Sequence, residues 1–339
     1  MNAEPNPNCL LCGATGRPLY HGLRDQLFSA PGKWDVKQCP RAACGLLWLD
    51  PMPLERDIGK AYQDYYTHKQ IPAQCNTILR QVERFIKRGY LAHKYGYYGQ
   101  SLTAWNRLLG SFIYLHPRRR TDFDFNVMYL SAQAHGRLLE VGCGNGSMLK
   151  SMQDLGWEVQ GVDRDPRAVQ YAKEQGLNVG LGTLETQAKK ANDFDAVIMS
   201  HVIEHVHNPL SLLIECHRIL KEGGRLVLVT PNGKSWGHKL FHEAWRGLEP
   251  PRHLHVFTPS ALQALAEKAG FQKPSVSTTI RDANELFIAS QALRSSGTSA
   301  ITSRPCGLRM KARVMQVMEW MMLKVKPDIG EEIVLNGRK

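Results

Sequence analysis

No apolar run in the 339 residues reaches the ~18 needed to cross a bilayer, so no transmembrane helix is expected. The opening MNAEPNPNC lacks the basic and apolar stretches of a secretory leader, so a cytoplasmic location is expected. Cysteine is scarce. Eight in a chain this long are too few for a disulfide scaffold, and in a reducing compartment they read as metal ligands or buried thiols. Acidic residues are the minority, 31 against 43 Lys and Arg, for a formal charge of +12. Extremes of composition are missing too. The apolar fraction is 43% and the charged fraction 22%, which excludes wholesale disorder. No internal repeat is visible.

The positive charge sits on the flanks. Residues 1–136 carry 17 basic and 10 acidic groups, residues 137–290 carry 17 of each, and residues 291–339 carry 9 and 4. Basic flanks suit an acidic partner: nucleic acid, anionic lipid headgroups or a phosphate-bearing substrate. The chain reads as four segments. Residues 1–53 are loop-rich and hold four of the cysteines. Residues 54–135 are a helical, aromatic-rich linker region with Tyr62, Tyr65, Tyr66, Tyr90, Tyr95, Tyr97, Tyr98 and Trp105. Within it, ILRQVERFIKR (78–88) spaces Ile78, Val82, Phe85 and Ile86 as one helix face, and 116–120 reads as a linker or basic edge. Residues 136–290 alternate strands and helices as one domain, and 291–339 are a Met-rich helical segment with a last strand. In that last segment VMQVMEWMML (314–323) is apolar nearly all round, with Arg309, Lys311, Arg313, Lys324 and Lys326 at its ends. It is expected to be a buried helix over the core, or else a basic helix touching membrane.

From Gly136 strands and helices alternate. Strands are expected at 137–141, 159–163, 178–182, 195–200 and 225–230, with 276–279 and 331–335 as the last two. Helices are expected from Ser147, Pro166, Pro209 and Pro259, the last capped by Thr258. Repeated βα units imply a mostly parallel, seven-stranded α/β sheet with helices on both faces.

The loop after the first of these strands runs Glu140-Val141-Gly142-Cys143-Gly144-Asn145-Gly146-Ser147. A dinucleotide fingerprint needs G-x-G-x-x-G, and Ser147 stands where its last glycine would be. A G-x-G-x-G loop led by an acid suits a cofactor without a pyrophosphate. Asp163 ends the second strand 19 residues after Gly144, where an acid can accept from ribose hydroxyls. LLEVGCGNG (138–146), GVD (161–163), FDAVIMSHVIEHVHNP (194–209) and ILKEGGRLVLVTPN (219–232), in this order and spacing, resemble the class I S-adenosylmethionine-dependent methyltransferases. The resemblance covers about residues 136–290. It implies a Rossmann-like fold and S-adenosyl-L-methionine as cofactor. The cofactor contacts it implies are Glu140, Gly142, Cys143, Gly144, Gly146, Asp163, Arg164, Thr183, Leu184, Ser200 and His201. The stretch WRGLEPPRHLHVF (245–257) is similar to one found in a bacterial branch whose members often carry a cysteine-rich head.

Cys9-Leu10-Leu11-Cys12-Gly13 and Cys39-Pro40-Arg41-Ala42-Ala43-Cys44-Gly45 form two cysteine pairs, each followed by glycine. This pattern suits structural Zn²⁺ held by four thiolates, with His21 a spare donor. The head, with GLLWLDPMP (45–53), resembles the zinc-binding head of sugar C-methyltransferases. Cys75, Cys143, Cys216 and Cys306 read as unpaired.

Methyl transfer needs positioning, plus a base when the acceptor is a hydroxyl or an enolisable carbon. His201, Glu204 and His205, expected on one face of a helical turn, and His253 are the candidate catalytic groups, with His255 beside the last. Asn232 is a candidate cofactor or substrate contact, and His238, His242 and Trp245 lie in an insertion that reads as a lid or a surface helix. Glu204 and His205 also suit a metal, with no third ligand obvious. The expected acceptor is a small or lipid-linked metabolite: a sugar, a surface-glycan precursor or a secondary-metabolite precursor, with phosphates for the basic flanks to hold. An RNA methyltransferase and a non-catalytic binding module of the same fold are the alternatives.

Overall fold

The computed structural model describes residues 1–62, 78–99, 102–132, 136–296 and 306–339, without the side chains of Leu79 and Ser296. Tyr65, Tyr66 and Cys75 lie outside the described residues. The N-terminal stretch gives β1 (Ala3–Glu4), β2 (Arg17–Leu23), β3 (Trp34–Gln38), β4 (Leu47–Leu49) and β5 (Met52–Pro53). Helices α1 (Ile78–Tyr95), α2 (Ala104–Ser111) and α3 (Pro117–Phe125) follow. Then come β6 (Arg137–Val141), α4 (Ser147–Asp154), β7 (Glu158–Asp163), α5 (Pro166–Glu174), β8 (Val179–Leu181), β9 (Phe194–Ser200), α6 (Pro209–Ile219) and β10 (Leu220–Pro231). The chain ends with α7 (Trp236–Phe241), β11 (His255–Val256), α8 (Pro259–Lys268), β12 (Gln272–Thr279), α9 (Ala283–Ser296), α10 (Cys306–Met322) and β13 (Glu332–Arg338).

The main sheet has seven strands in the order β12-β13-β10-β9-β6-β7-β8. β6 pairs in parallel with β7 and β9, and β7 with β8. The expected seven-stranded α/β fold is therefore present. β6 and β9 are almost wholly buried, as strands covered by helices on both faces must be. α5 and α8 begin as their sequences dictate. Asp165 and Thr258 cap them through side-chain oxygens, and Pro166 and Pro259 take the first turn, where a missing N–H costs nothing.

The chain divides into two compact units. One comprises Met1–Tyr65, Ser200–Ile214 and Leu228–Gly337; the other comprises Tyr66–Met199, Glu215–Val227 and Arg338–Lys339. In the first unit the N-terminal stretch, read as loops from its Pro and Gly content, is a four-stranded sheet, β11-β4-β3-β2. Its inward residues Trp34, Val36, Leu47 and Leu49 pack with Phe241, Trp245, Leu248, Leu254 and Val256 in one core. The strands were hidden because they are short and their pairing partner β11 lies some two hundred residues further on.

In the second unit Tyr90, Leu91, Tyr95, Tyr97, Ile113, Phe123 and Val127 form a separate core. Buried Asp124 organises it, accepting hydrogen bonds from Tyr90 (2.7 Å), Tyr95 (2.9 Å) and Lys94. Residues 116–120 are not a linker. His116 caps α3, and Pro117 opens it. α1 and α2 cross closely because Gly89 and Gly110 face each other's backbone. A Cβ on Gly89 would sit 1.7 Å from the Asn106 carbonyl oxygen. The expected helix is present as α1, with Ile78 79% exposed and Val82 50%.

α10 also departs from expectation. Met310, Val314, Val317, Met318 and Met321 are exposed, and the buried line of the helix is Ala312, Gln316 and Glu319. Polar anchors explain this. Gln316 donates to the Ile280 carbonyl, and Glu319 accepts from the Glu331 N–H at 3.0 Å. Burial, with the neighbouring Glu331 charge, pushes the Glu319 carboxyl well above the usual carboxylate range. A carboxyl with a raised folded-state value holds its proton in the fold but loses it in the unfolded chain. Stability therefore falls as pH rises above the ordinary carboxylate range. Glu319→Gln, which keeps the accepting oxygen, is expected to flatten this slope and raise the melting temperature at pH 8. An unchanged profile in thermal melts from pH 5 to 9 would contradict it.

Candidate active site

Two groups of side chains carry chemistry, one in each unit, and a cysteine cluster accompanies them. In the second unit the glycine loop joins β6 to α4. Gly142, Gly144 and Gly146 all take positive φ, 71°, 51° and 78°, which glycine adopts at little steric cost. A Cβ on Gly144 would meet nothing within 4 Å, so the space beside the loop is open there. α4 starts on Gly146 without a side-chain cap. Asp163 clamps the loop: its carboxylate accepts from the Gly144 N–H at 2.7 Å and the Asp165 N–H at 2.8 Å. Glu140 is buried, and its Oε2 has no hydrogen-bond partner. Burial, then the nearby Asp163 charge, push its carboxyl well above the usual value. A buried acid with an orphaned oxygen beside an open glycine loop has the chemistry to receive a cationic group, as the ammonium of a methionine-type cofactor would supply. Cys143 is buried in the loop with Gly161 against it. Arg164 follows Asp163, and Thr183 and Leu184 follow β8, where the Thr186 hydroxyl holds the Thr183 backbone.

In the first unit β9 ends at Ser200, and His201 follows with φ +54°, its N–H bonded to the Val229 carbonyl. Residues Ile203–His205 form one 3-10 turn. His201, Glu204 and His205 therefore do not share a helical face as expected. His201 turns to acids: Nε2 lies 2.9 Å from Glu332 Oε1, and Nδ1 lies 3.3 Å from Glu204 Oε1. Burial opposes its charge, but the two carboxylates win and push its pKa up to about 10. The two carboxylates thus favour its charged form. Arg281 grips Glu332 from Nε and Nη2 at 2.8 and 2.7 Å.

His205 joins His253 instead, with ring centroids 4.8 Å apart. His205 Nδ1 lies 2.9 Å from the Arg252 carbonyl oxygen and 3.0 Å from the Tyr62 hydroxyl. His253 Nδ1 lies 2.8 Å from the Gly247 carbonyl. A carbonyl only accepts, so each ring carries a proton on Nδ1; His253 Nε2 lies 3.7 Å from the Glu249 carboxylate. Glu204 is fully buried. Its Oε2 accepts from the Thr230 hydroxyl at 2.9 Å, and Oε1 accepts no hydrogen bond. Burial would raise Glu204, but the surrounding imidazoles hold it down at about 2, while burial pushes His253 down to about 4.

The segment 249–255 is held by Arg252. Its buried guanidinium bonds both oxygens of Asp25 at 2.8 Å, Glu249 at 2.7 Å and the Ala61 carbonyl at 3.1 Å. His255 sits in β11 opposite Trp48, in the small sheet. Asn232, a candidate ligand contact, is instead structural: its amide donates to the Asp328 and Gly330 carbonyls, and its oxygen accepts from Lys234. His238 and Trp245 are not a surface helix. They stack at 4.9 Å in the core, with Tyr20 on His238 and Glu331 on Trp245.

Cys9, Cys12, Cys39 and Cys44 bring their sulfurs within 4.8 Å of one another. Cys9 and Cys44 are 3.7 Å apart, and Cys12 and Cys39 3.4 Å. Sulfurs ~2.3 Å from one tetrahedral ion stand about 3.7 Å apart, so the spacing fits zinc. Each knuckle closes on a left-handed glycine, Gly13 (φ 70°) and Gly45 (φ 62°). His21 is not part of the cluster and pairs with Asp35 at 3.0 Å. Tyr62, Thr230, Arg281 and Glu332 escaped sequence reading, because nothing in their local sequence marks them and each lies far along the chain from its partner.

A methyltransferase-domain family model matches residues 114–276. A ubiquinone biosynthesis O-methyltransferase from a Ruegeria species is 33% identical over 169 residues, 46% of this chain and 68% of that protein. The chain belongs to the class I S-adenosylmethionine-dependent methyltransferases. One of that name from Cereibacter sphaeroides is 36% identical over 146 residues, 40% of this chain; the chain spans only 59% of its length. A solved S-adenosylmethionine-dependent methyltransferase from Mesorhizobium loti aligns at 16% identity and TM-score 0.45, covering 64% of this chain and 97% of that one. Within this class I member the matched segment holds the glycine loop and the 203–205 turn, and the cysteine head lies outside it.

Arg252 carries the stability of the segment that presents His253. Removing one partner from a buried ion pair leaves the others uncompensated. Arg252→Met is expected to lose ~3–5 kcal/mol in urea unfolding. A loss under about 1 kcal/mol would show that the pair is dispensable.

Proposed function

We propose that the chain transfers a methyl group from S-adenosyl-L-methionine to a small-molecule or lipid-linked acceptor. The observation that carries this reading is the open glycine loop with the orphaned oxygen of buried Glu140 beside it. In it, Glu140 receives the cofactor's ammonium, Asp163 the ribose hydroxyls, and the uncapped start of α4 its carboxylate. Gly142, Cys143, Gly146, Arg164, Thr183 and Leu184 complete the contacts. Bound there, the cofactor would supply an activated methyl group for transfer to the acceptor. Glu204, His205 and His253 are the groups that take up the acceptor's proton, and His201 supplies positive charge.

An oxygen acceptor is favoured by the names of the ubiquinone biosynthesis relatives. A sugar or surface-glycan precursor is the finer reading, supported by the cysteine head. We assign the head, residues 1–53, a structural zinc on Cys9, Cys12, Cys39 and Cys44, and residues 136–290 the cofactor domain. The outward apolar residues of α10, flanked by Arg309, Lys311, Arg313, Lys324 and Lys326, support peripheral contact with anionic lipid. No helix among the described residues is long and apolar enough to cross a membrane.

Calorimetry is expected to give micromolar binding of S-adenosyl-L-methionine, abolished in Gly144→Arg, whose side chain fills the open space. Normal binding by the variant would remove the loop from the site. Metal analysis is expected to find one zinc held by the cysteines, lost in Cys12→Ser while cofactor binding persists. Less than about half an equivalent of thiolate-bound zinc in fresh protein would refute the head assignment.

A further inference from the structure

We propose that Glu204, His205 and His253 form a site for a divalent first-row transition-metal cation, distinct from the cysteine cluster. The three residues each offer one donor atom, and these atoms lie within 4.8 Å of one another. Each of the three side chains has one atom anchored. Glu204 is tied at Oε2 by Thr230, while its buried Oε1 faces His201 Nδ1 at 3.3 Å. His205 is tied at Nδ1 to the Arg252 carbonyl and Tyr62, and His253 at Nδ1 to the Gly247 carbonyl. Metal-bound histidines are oriented in this way, with the far ring N–H on a carbonyl and the other nitrogen on the ion. Donors ~2.0–2.2 Å from one tetrahedral ion stand about 3.4 Å apart, so the three side chains would close in on a bound cation.

Two imidazoles and one carboxylate suit zinc, iron, manganese or cobalt. Magnesium and calcium prefer an all-oxygen shell. Three protein ligands leave coordination positions open, and a hydroxyl bound there would lose its proton more readily. The inference deepens the reading of these residues as the groups that activate an acceptor hydroxyl, but it stands on metal binding alone. The sequence supplied Glu204-His205; the third ligand comes from a loop 48 residues further along.

Cobalt(II) alone is the probe, titrated into metal-stripped full-length protein. The cysteine cluster reports through thiolate-to-cobalt charge transfer. A second equivalent is expected, with weak ligand-field absorption and no added charge-transfer intensity. It should vanish in His253→Ala and in His205→Asn, while the charge-transfer band and near-UV circular dichroism stay as in wild type. Wild-type protein that takes up cobalt only at the thiolates overturns the proposal, whatever the variants do. So does a second equivalent that survives in well-folded His253→Ala. Calorimetry with S-adenosyl-L-methionine on the same samples keeps the two ideas apart: bound cofactor without second-site cobalt leaves the transfer reading standing and removes the metal.

Discussion

The guanidinium of Arg252 has no solvent exposure, and most of the first unit's functional geometry hangs on it. It draws Asp25 from the N-terminal loops, Glu249 from its own turn and the Ala61 carbonyl into one buried polar centre. A lone buried cation would be untenable; three acceptors make it stable and fix their own positions in turn. Its carbonyl orients His205, its successor is His253, and Tyr62, next to Ala61, reaches the same imidazole. One charge thus aligns chain segments separated by nearly the whole length of the unit. The cluster inherits its order from this centre.

The seven-stranded sheet was readable because its central strands contain short apolar runs. RLLEV, DAVIMS and RLVLVT leave little choice, and the starts of α5 and α8 announce themselves through Asp165-Pro166 and Thr258-Pro259. The glycine loop and the cysteine knuckles were equally legible, since local backbone conformation demands those residues there. Long-range pairing was not. Nothing in the sequence joins Glu332 to His201, Thr230 to Glu204 or Asp25 to Arg252, and residues 201–205 look helical until the backbone at His201 turns left-handed. Hydrophobic patterning misled at α10, where Met310, Val314, Val317, Met318 and Met321 are exposed. In α10 buried Gln316 and Glu319 satisfy backbone groups, and that requirement outweighed the apolar pattern.

The molecule therefore treats polarity in two opposite ways. Ordinary apolar packing holds the central strands β6 and β9, which are almost wholly buried. The first unit's functional region is built from buried charges, with Arg252, Glu204, Glu249, Glu331 and Glu332 all nearly inaccessible. Such centres demand complete partnering, so an atom left without a hydrogen bond, such as Glu140 Oε2, stands out against a satisfied background.

The pairing of β4 with β11 sets an order on how the protein can be made. Leu47 and Trp48 meet Val256 and His255 in the small sheet, Thr258 bonds the Cys44 carbonyl, and Lys268 reaches the Leu11 carbonyl. The cysteine head thus waits, half-formed, for a strand synthesised about two hundred residues later. At ~5–20 residues per second this is an interval of roughly 10–40 s, during which its thiols emerge from the ribosome without their framework. Early metal capture by the four cysteines would shield them through that interval and hold the first strands in place until their distant partner arrives.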